Sequence, residues 1–133
     1  MPSRSLDDLE DDVKALALAF KAECKRRGLD VLIYCTLRSN KEQDALYSQG
    51  RSSKSSHIVT NAKAGQSLHN PQPKTGKARA FDAVPIRHDG KLEWDNAKAI
   101  DEMGAAGLAV GLEWAGKWSG FRERVHFQLK AKK

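Results

Sequence analysis

Apolar side chains near the start of the chain recur at steps of three and four, which is the spacing of one helix face. The series consists of Leu6, Leu9, Val13, Leu16, Phe20 and Cys24. Ser5 precedes it, and Asp8 follows three residues later as in a capping box, with Asp in place of Glu. Gly28 follows a basic last turn and can end a helix in a left-handed conformation. The pattern predicts a first helix between Ser5 and Gly28.

Three short apolar runs are typical of buried strands, at 31–35, 78–86 and 125–129. A second helix is predicted after Ser39, where Glu42 completes a capping box, and Gly50 ends it. Asp95 is the predicted cap of a third helix, whose apolar positions are Ala97, Ile100, Met103 and Leu108. Between the second helix and second strand, residues 51–77 are rich in Ser, Asn, Gly, Pro and Lys. A loop of that length inside a compact domain is usually functional or disordered.

The order of these elements defines the expected fold class. Helix, strand, helix, long loop, strand, helix and strand predict a small α+β domain with a mostly antiparallel sheet. The 133 residues contain neither a repeat nor a convincing linker, so a single domain over 1–133 is expected.

Charge and hydropathy narrow the function classes only slightly. The net charge of +6 favours anionic partners such as nucleic acid, acidic lipid or bacterial wall polymers. A nucleic-acid binder is disfavoured because the chain lacks a recognisable motif and a clustered basic helix. No apolar run approaches the roughly 20 residues that cross a bilayer, and the acidic N-terminus does not resemble a signal peptide. We therefore expect synthesis in the cytoplasm, without membrane insertion and with export by another route.

The two cysteines, Cys24 and Cys35, do not form a metal-binding CxxC motif. In a chain without a signal peptide, they are expected to be reduced and to pack as small hydrophobes. The sequence predicts no part for them in metal binding.

Polar side chains interrupt two of the predicted strands. Val125, Phe127 and Leu129 share the core face of the last strand, so His126 and Gln128 lie on the other face. Asp82 interrupts an apolar run, where a carboxylate is costly to bury unless it is paired or binds a metal. With His69 from the polar loop, two imidazoles and one carboxylate form a ligand set of catalytic zinc. Glu123 precedes this strand and is a candidate base; on these residues alone, structural roles remain open.

Four motifs follow one another between Thr36 and Gln128. They are Thr36-Leu37-Arg38-Ser39 with Glu42-Gln43 and Leu46-Tyr47; Ser67-Leu68-His69 with Ala80-Phe81-Asp82; Gly111-Leu112-Glu113-Trp114-Ala115-Gly116-Lys117-Trp118; and Glu123-Arg124-Val125-His126-Phe127. In this order they resemble the M15 family of zinc peptidases. The similarity is greatest to its L-alanyl–D-glutamate endopeptidase branch, found in phage endolysins and bacterial wall enzymes.

The resemblance implies a fold of the LAS/hedgehog metallopeptidase type with one zinc ion. It implies that the ion is held by His69, Asp82 and His126, and that Glu123 is the catalytic base. Arg38 is implied to anchor a substrate carboxylate through its planar fork. Gln43 and Ser67 are the further substrate contacts that it suggests. Trp114 and Trp118 are expected in the core or in the groove wall, and they are candidate substrate contacts because at least one of them is expected to line the groove beside the metal.

The activity implied is hydrolysis of the peptidoglycan stem peptide at the L-Ala–D-Glu bond, for host lysis or wall turnover. A monomeric single peptidase domain without a wall-binding domain is expected, released through a holin-type lesion. Two alternatives stay open: a D-Ala-D-Ala carboxypeptidase or dipeptidase of the same fold, and a non-catalytic zinc-stabilised module that binds the wall.

The chain departs from the family pattern at three points. The step from His69 to Asp82 is longer than usual, and the extra residues include Pro71, Pro73 and Gly76. Ala115 replaces a usual Gly, and Glu123 stands where relatives often have Asp. The longer step is expected to affect the substrate groove, because loop closure itself depends only weakly on length.

Overall fold

The computed structural model describes residues 2–48, 65–117 and 123–129. Within these ranges the helices are α1 (Asp11–Arg26), α2 (Asn40–Ser48) and α3 (Ala97–Ala109). The strands are β1 (Asp30–Cys35), β2 (Ala80–Ile86), β3 (Glu113–Trp114) and β4 (His126–Gln128). No helix in this part of the chain is both long and apolar enough to cross a bilayer. The α+β class predicted from the element order is confirmed.

The four strands form one antiparallel sheet in the order β1-β2-β4-β3. Phe81 of β2 lies opposite Phe127 of β4, and Asp82 lies opposite His126. Because directly opposed residues share a face, the phenylalanines face one side and the two polar residues the other. Phe20 of α1 completes the core, with ring centroids 5.4 Å from Phe81 and 4.8 Å from Phe127. The period-two prediction for the last strand is therefore confirmed.

The first helix begins later than its apolar spacing predicts. Leu6–Asp8 form a separate 3₁₀ turn, whose cap Ser5 accepts a hydrogen bond from the Asp7 amide. Leu9 is fully buried but forms a bridge with Ala78 rather than a helical turn. Leu9 is thus buried against the residue segment that precedes β2, at a position that also fits the spacing of a helix face. The helix α1 itself begins at Asp11.

Two other predicted boundaries agree with the structure, and a third is shifted by one residue. Ser39 and Glu42 exchange the two bonds of a capping box at the start of α2, as predicted. Gly28 has the expected positive φ of 79° after α1. The cap of α3 is Asn96 rather than Asp95, since the Asn96 side chain accepts from the Ala99 amide. Gly50 and residues 51–64 lie outside the described residues.

Two glycines of α3 face large aromatic rings. A Cβ added at Gly104 would overlap the indole of Trp114, and one at Gly107 would overlap the ring of Phe127. Glycine in a helix costs about 1 kcal/mol relative to alanine. The close approach of α3 to the sheet explains why small residues occupy these positions.

Gly107→Ala is expected to lower stability by about 1–3 kcal/mol through overpacking, despite the better helix propensity of alanine. Leu108→Ala is the matched control, because Leu108 is exposed and surface changes usually stay within about 0.5 kcal/mol. Urea unfolding of both variants measures the difference. A Gly107→Ala protein as stable as the parent would show that Phe127 moves aside without cost.

Candidate active site

Three buried polar side chains meet on the sheet face opposite the core. Asp82 and His126 come from β2 and β4, and His69 comes from the loop between α2 and β2. The His69 Nε2 atom lies 3.0 Å from Asp82 Oδ1 and 3.2 Å from His126 Nδ1. His126 Nδ1 lies 3.3 Å from the same carboxylate oxygen. The three residues singled out as metal ligands therefore form one cluster, with exposures of only 2–8%.

The second nitrogen of each imidazole has its own acceptor. His69 Nδ1 lies 2.8 Å from the Thr36 carbonyl oxygen, and His126 Nε2 lies 2.8 Å from Gln128 Oε1. Since a carbonyl oxygen accepts only, each of these nitrogens is the donor of its pair. The other ring nitrogens, His69 Nε2 and His126 Nδ1, are directed at Asp82. Sequence reasoning missed the orienting roles of Thr36 and Gln128, although it placed Gln128 on the correct face.

The cluster binds a positive charge strongly. Burial works against protonation of His69, but the Asp82 carboxylate raises the pKa of His69 to about 10. Burial likewise opposes ionisation of Asp82, yet the His69 and His126 rings hold the pKa of Asp82 well below its usual range. The site is thus arranged to hold a cation beside a carboxylate, either a proton or a metal ion.

Cys35 lies at the edge of this cluster, where the sequence predicted no role for it. Its thiol, like that of Cys24, is free, as expected. Its Sγ is 3.7 Å from His69 Nδ1, and the Cys35, His69 and Asp82 donor atoms lie within 4.8 Å of one another. These three residues are also a group that can hold a metal ion. The sequence predicted no part in metal binding for either cysteine, and the structure places Cys35 beside the cluster.

A β-bulge explains how Cys35 reaches this face. Ile33 pairs with Ala83, but Cys35 pairs with Asp82, so β1 has one extra residue between these two pairs. Tyr34 and Cys35 consequently both oppose Asp82, which is the arrangement of a bulge beside a functional site. Regular alternation would have placed Cys35 with Ile33 on the core face.

Arg38, Gln43 and Ser67 also lie at the site. Arg38 Nη2 is 3.5 Å from Asp82 Oδ2, and its Nη1 donates to Gln43 Oε1 at 2.8 Å. The fully buried Gln43 therefore holds Arg38 in place. Ser67 Oγ accepts from the His69 amide at 3.1 Å and fixes the turn that carries that imidazole. Substrate contacts of these three residues stay predictions.

The two tryptophans predicted to contact substrate differ in what the structure says of them. Trp114 is buried in the core cluster, and its indole N–H donates to the Arg124 carbonyl at 2.7 Å. It packs against α3, and its contact with substrate stays a prediction. Trp118 lies outside the described residues.

Glu123 lies at the turn that enters β4. Its carbonyl accepts from the His126 amide, and its own amide donates to the Ala115 carbonyl. Its charge, with that of Asp82, helps to raise the pKa of Tyr34, after the larger effect of burial. The sequence prediction of a turn or bulge at Glu123 is confirmed, and this position brings its charge within electrostatic range of the site.

The long step between His69 and Asp82 forms a closed loop. The Arg79 amide donates to the Leu68 carbonyl at 2.7 Å, so the two ends meet beside the ligands. The loop extends to the start of α1, where Ala78 bridges Leu9 and Thr75 Oγ1 donates to Glu10. The extra residues therefore leave the spacing of the His69 and Asp82 side chains intact.

Comparison with known proteins places this arrangement in a family. The chain is 37% identical over 131 residues to the peptidoglycan L-alanyl-D-glutamate endopeptidase CwlK of Bacillus subtilis, covering 92% of this chain and 74% of that protein. The chain belongs to the L-alanyl–D-glutamate endopeptidase branch of the M15 peptidases. An L-alanyl-D-glutamate peptidase of Listeria phage A118 is 33% identical over 136 residues, or 98% of this chain and 42% of the phage protein.

The fold of this M15 chain is also found in a solved structure. The crystal structure of the Serratia marcescens L-Ala D-Glu endopeptidase ChiX superposes with a TM-score of 0.63 at 18% identity, covering 98% of this chain and 89% of the other. A scan against protein-family models found no match.

Proposed function

We propose that this M15 chain is a zinc-dependent endopeptidase that hydrolyses the L-Ala–D-Glu bond of the peptidoglycan stem peptide. The observation that carries the proposal is the convergence of His69 Nε2, Asp82 Oδ1 and His126 Nδ1 within 3.0–3.3 Å. Its support is the position of Glu123 and the similarity to proteins named for cleavage of that bond.

The spacing of the three atoms fits one zinc ion. Two nitrogen or oxygen atoms that each lie about 2.0–2.1 Å from a tetrahedral ion are about 3.3 Å apart. The observed 3.0, 3.2 and 3.3 Å are close to that value. Cys35 is a poorer third ligand, since its sulfur lies on the Nδ1 side of His69, where the ring N–H faces Thr36. We assign His69, Asp82 and His126 as the ligands.

Bound zinc supplies a Lewis acid that polarises a peptide carbonyl and lowers the pKa of water to about 7. Glu123 then accepts a proton from the attacking water as a C–O bond forms at the L-Ala carbonyl carbon. It returns that proton to the D-Glu nitrogen as the C–N bond breaks. One water is consumed, and the products are an L-Ala carboxylate and a D-Glu amine.

Arg38 has two roles in this proposal. Its contact with Asp82 Oδ2 leaves Oδ1 directed at the two imidazoles. Residues that hydrogen-bond to metal ligands from outside commonly orient them in this way. The Arg38 side chain is 11% exposed, and its buried Nε atom has no hydrogen-bond partner among the described residues. We propose that the exposed part of the guanidinium binds a stem-peptide carboxylate, next to the bond that is cut.

The reaction is tested by digesting purified peptidoglycan and identifying the new termini by mass spectrometry. New L-Ala carboxyl and D-Glu amino termini are expected, and they should disappear on complete zinc removal and return on zinc addition. Release of free D-Ala alone would establish the carboxypeptidase alternative instead. Binding of wall without any cleavage would establish the non-catalytic module.

Zinc affinity should rise with pH because a proton occupies the same site. The raised pKa of His69 means that the zinc-free cluster is protonated near neutrality, and zinc must displace that proton. We expect the apparent association constant to increase about tenfold per pH unit between pH 6 and 8. Competition with a chelator of known affinity measures this, and a flat profile would show that the empty site holds no proton.

The oligomeric state, the place of action and the route of release are proposed from the family. We propose that the chain acts as a monomer and one peptidase domain on the bacterial wall. Release through a holin-type lesion completes the proposal. Lysis of outer-membrane-permeabilised cells, measured as loss of turbidity with and without chelator, tests the site of action.

A further inference from the structure

Tyr34 is a titratable side chain at the site that none of the roles above uses. Leu32 pairs with Val84, so Tyr34, two residues further along β1, faces the same side as Asp82. The bulge between Ile33 and Cys35 adds a residue here and lets Tyr34 and Cys35 both oppose that carboxylate. The phenol is thus directed to the reactive face by backbone pairing.

The charged groups that act on the Tyr34 phenol belong to the same site. Besides burial, the charges that act on the phenol are those of Asp82, Cys35, Arg38 and Glu123. Glu123 comes from the turn before β4 and Asp82 from β2, so the charges of both the proposed base and a proposed ligand act on the phenol. The side chain stays partly exposed, and its hydroxyl bonds to no other described residue. It therefore offers a free donor to an incoming peptide.

Trp94 fixes the orientation of that ring. The two ring centroids are 5.2 Å apart at an interplanar angle of 75°, an edge-to-face contact. Trp94 is 49% exposed, so one side of the indole packs on Tyr34 and the other faces solvent. A phenol held by an aromatic neighbour keeps its hydroxyl in one place, which is the requirement for preorganised stabilisation of developing charge.

We propose that Tyr34 donates a hydrogen bond to the L-Ala carbonyl oxygen of the scissile bond as that oxygen gains negative charge. The proposal rests on the endopeptidase function above and adds a residue from β1 to its machinery. A phenol is neutral at working pH and donates one hydrogen. Trp94 is a positioning residue in this scheme, because it acts through the Tyr34 ring.

The test is Tyr34→Phe, which keeps the ring and its contact with Trp94 but removes the hydroxyl. Loss of one oxyanion donor lowers kcat by about 10²–10³ where it acts alone. Because bound metal shares the charge here, we expect a fall of about 10- to 100-fold in kcat. KM and zinc content should stay within about twofold, since the bond strengthens only in the transition state. A disaccharide–stem-peptide fragment serves as substrate.

Ser48→Ala is the control, since it removes a hydroxyl that bonds the Ala45 carbonyl at the end of α2. It should keep kcat and KM within about twofold. Thermal unfolding of both variants checks the fold, and calorimetric titration of the zinc-free proteins with the same fragment measures ground-state binding. Both quantities should match the parent protein in Tyr34→Phe.

Each other outcome overturns the assignment. Unchanged kcat excludes the hydroxyl from the reaction, and weaker binding with unchanged kcat makes it a ground-state contact. Loss of zinc or of thermal stability makes Tyr34 a structural residue. If the parent protein leaves the L-Ala–D-Glu bond intact, the endopeptidase function fails, and the Tyr34 role fails with it. If the parent protein cleaves the bond and Tyr34→Phe is equally active, only the Tyr34 role is excluded.

Discussion

His126→Ala should lose both bound zinc and peptidoglycan cleavage, whereas Cys35→Ala should keep both. Removing an imidazole leaves two protein ligands, fewer than the three that hold catalytic zinc. The cleavage rate is expected to fall at least about a thousandfold, or about 4 kcal/mol of transition-state stabilisation. The thiol lies near His69 Nδ1 rather than Nε2, so its loss should leave about one zinc per chain and activity within about threefold.

Atomic absorption on dialysed protein gives the zinc content, and release of soluble muropeptides gives the rate. The pair of variants separates the two overlapping ligand sets that the structure offers. Zinc retained by His126→Ala and lost by Cys35→Ala would assign the metal to Cys35, His69 and Asp82 instead. The stability of each variant is followed by urea unfolding, because a void at a buried position costs stability in its own right.

Glu123→Gln should abolish cleavage while leaving zinc bound. The amide keeps the size and the backbone contacts to Ala115 and His126, but it cannot accept a proton from water. General-base catalysis contributes about 10²–10⁴-fold, so a fall in kcat within that range is expected. KM should change little, because the proton moves only in the transition state.

Glu102→Gln is the matched control for this change. Glu102 forms a surface ion pair with Arg27, with a side chain 46% exposed, and such pairs contribute about 0–1 kcal/mol. Its activity should equal that of the parent. Full activity in Glu123→Gln would remove the proposed mechanism, and loss of zinc in that variant would make Glu123 a structural residue.

The parts of the site that sequence could predict are those that depend on local periodicity. The alternation Val125, Phe127, Leu129 fixes a core face, and hence places His126 on the other. Asp82 stands out because an apolar run rarely tolerates a carboxylate without a partner. The ordered motifs then joined His69 to this pair, although the three residues are distant in sequence.

The parts that sequence missed depend on contacts between distant segments. The bulge that turns Tyr34 and Cys35 toward Asp82 is a property of strand pairing, and no local signal in 31–35 marks it. Leu9 looked helical because its bridge to Ala78 buries it at the spacing of α1. The sequence left core and groove wall both open for Trp114, and Gly104 makes room for its indole in the core.

The closed loop between His69 and Asp82 defines a cassette for protein engineering. The hydrogen bond from the Arg79 amide to the Leu68 carbonyl closes the neck of this loop. This bond sets the separation of the two ligands, whatever residues the loop contains. Residues 71–77 lie beyond that neck and beyond Asn70, whose side chain donates to the Arg38 carbonyl. A shorter turn, or a grafted wall-targeting peptide, can therefore replace 71–77 and leave the spacing of the two metal-facing side chains unchanged.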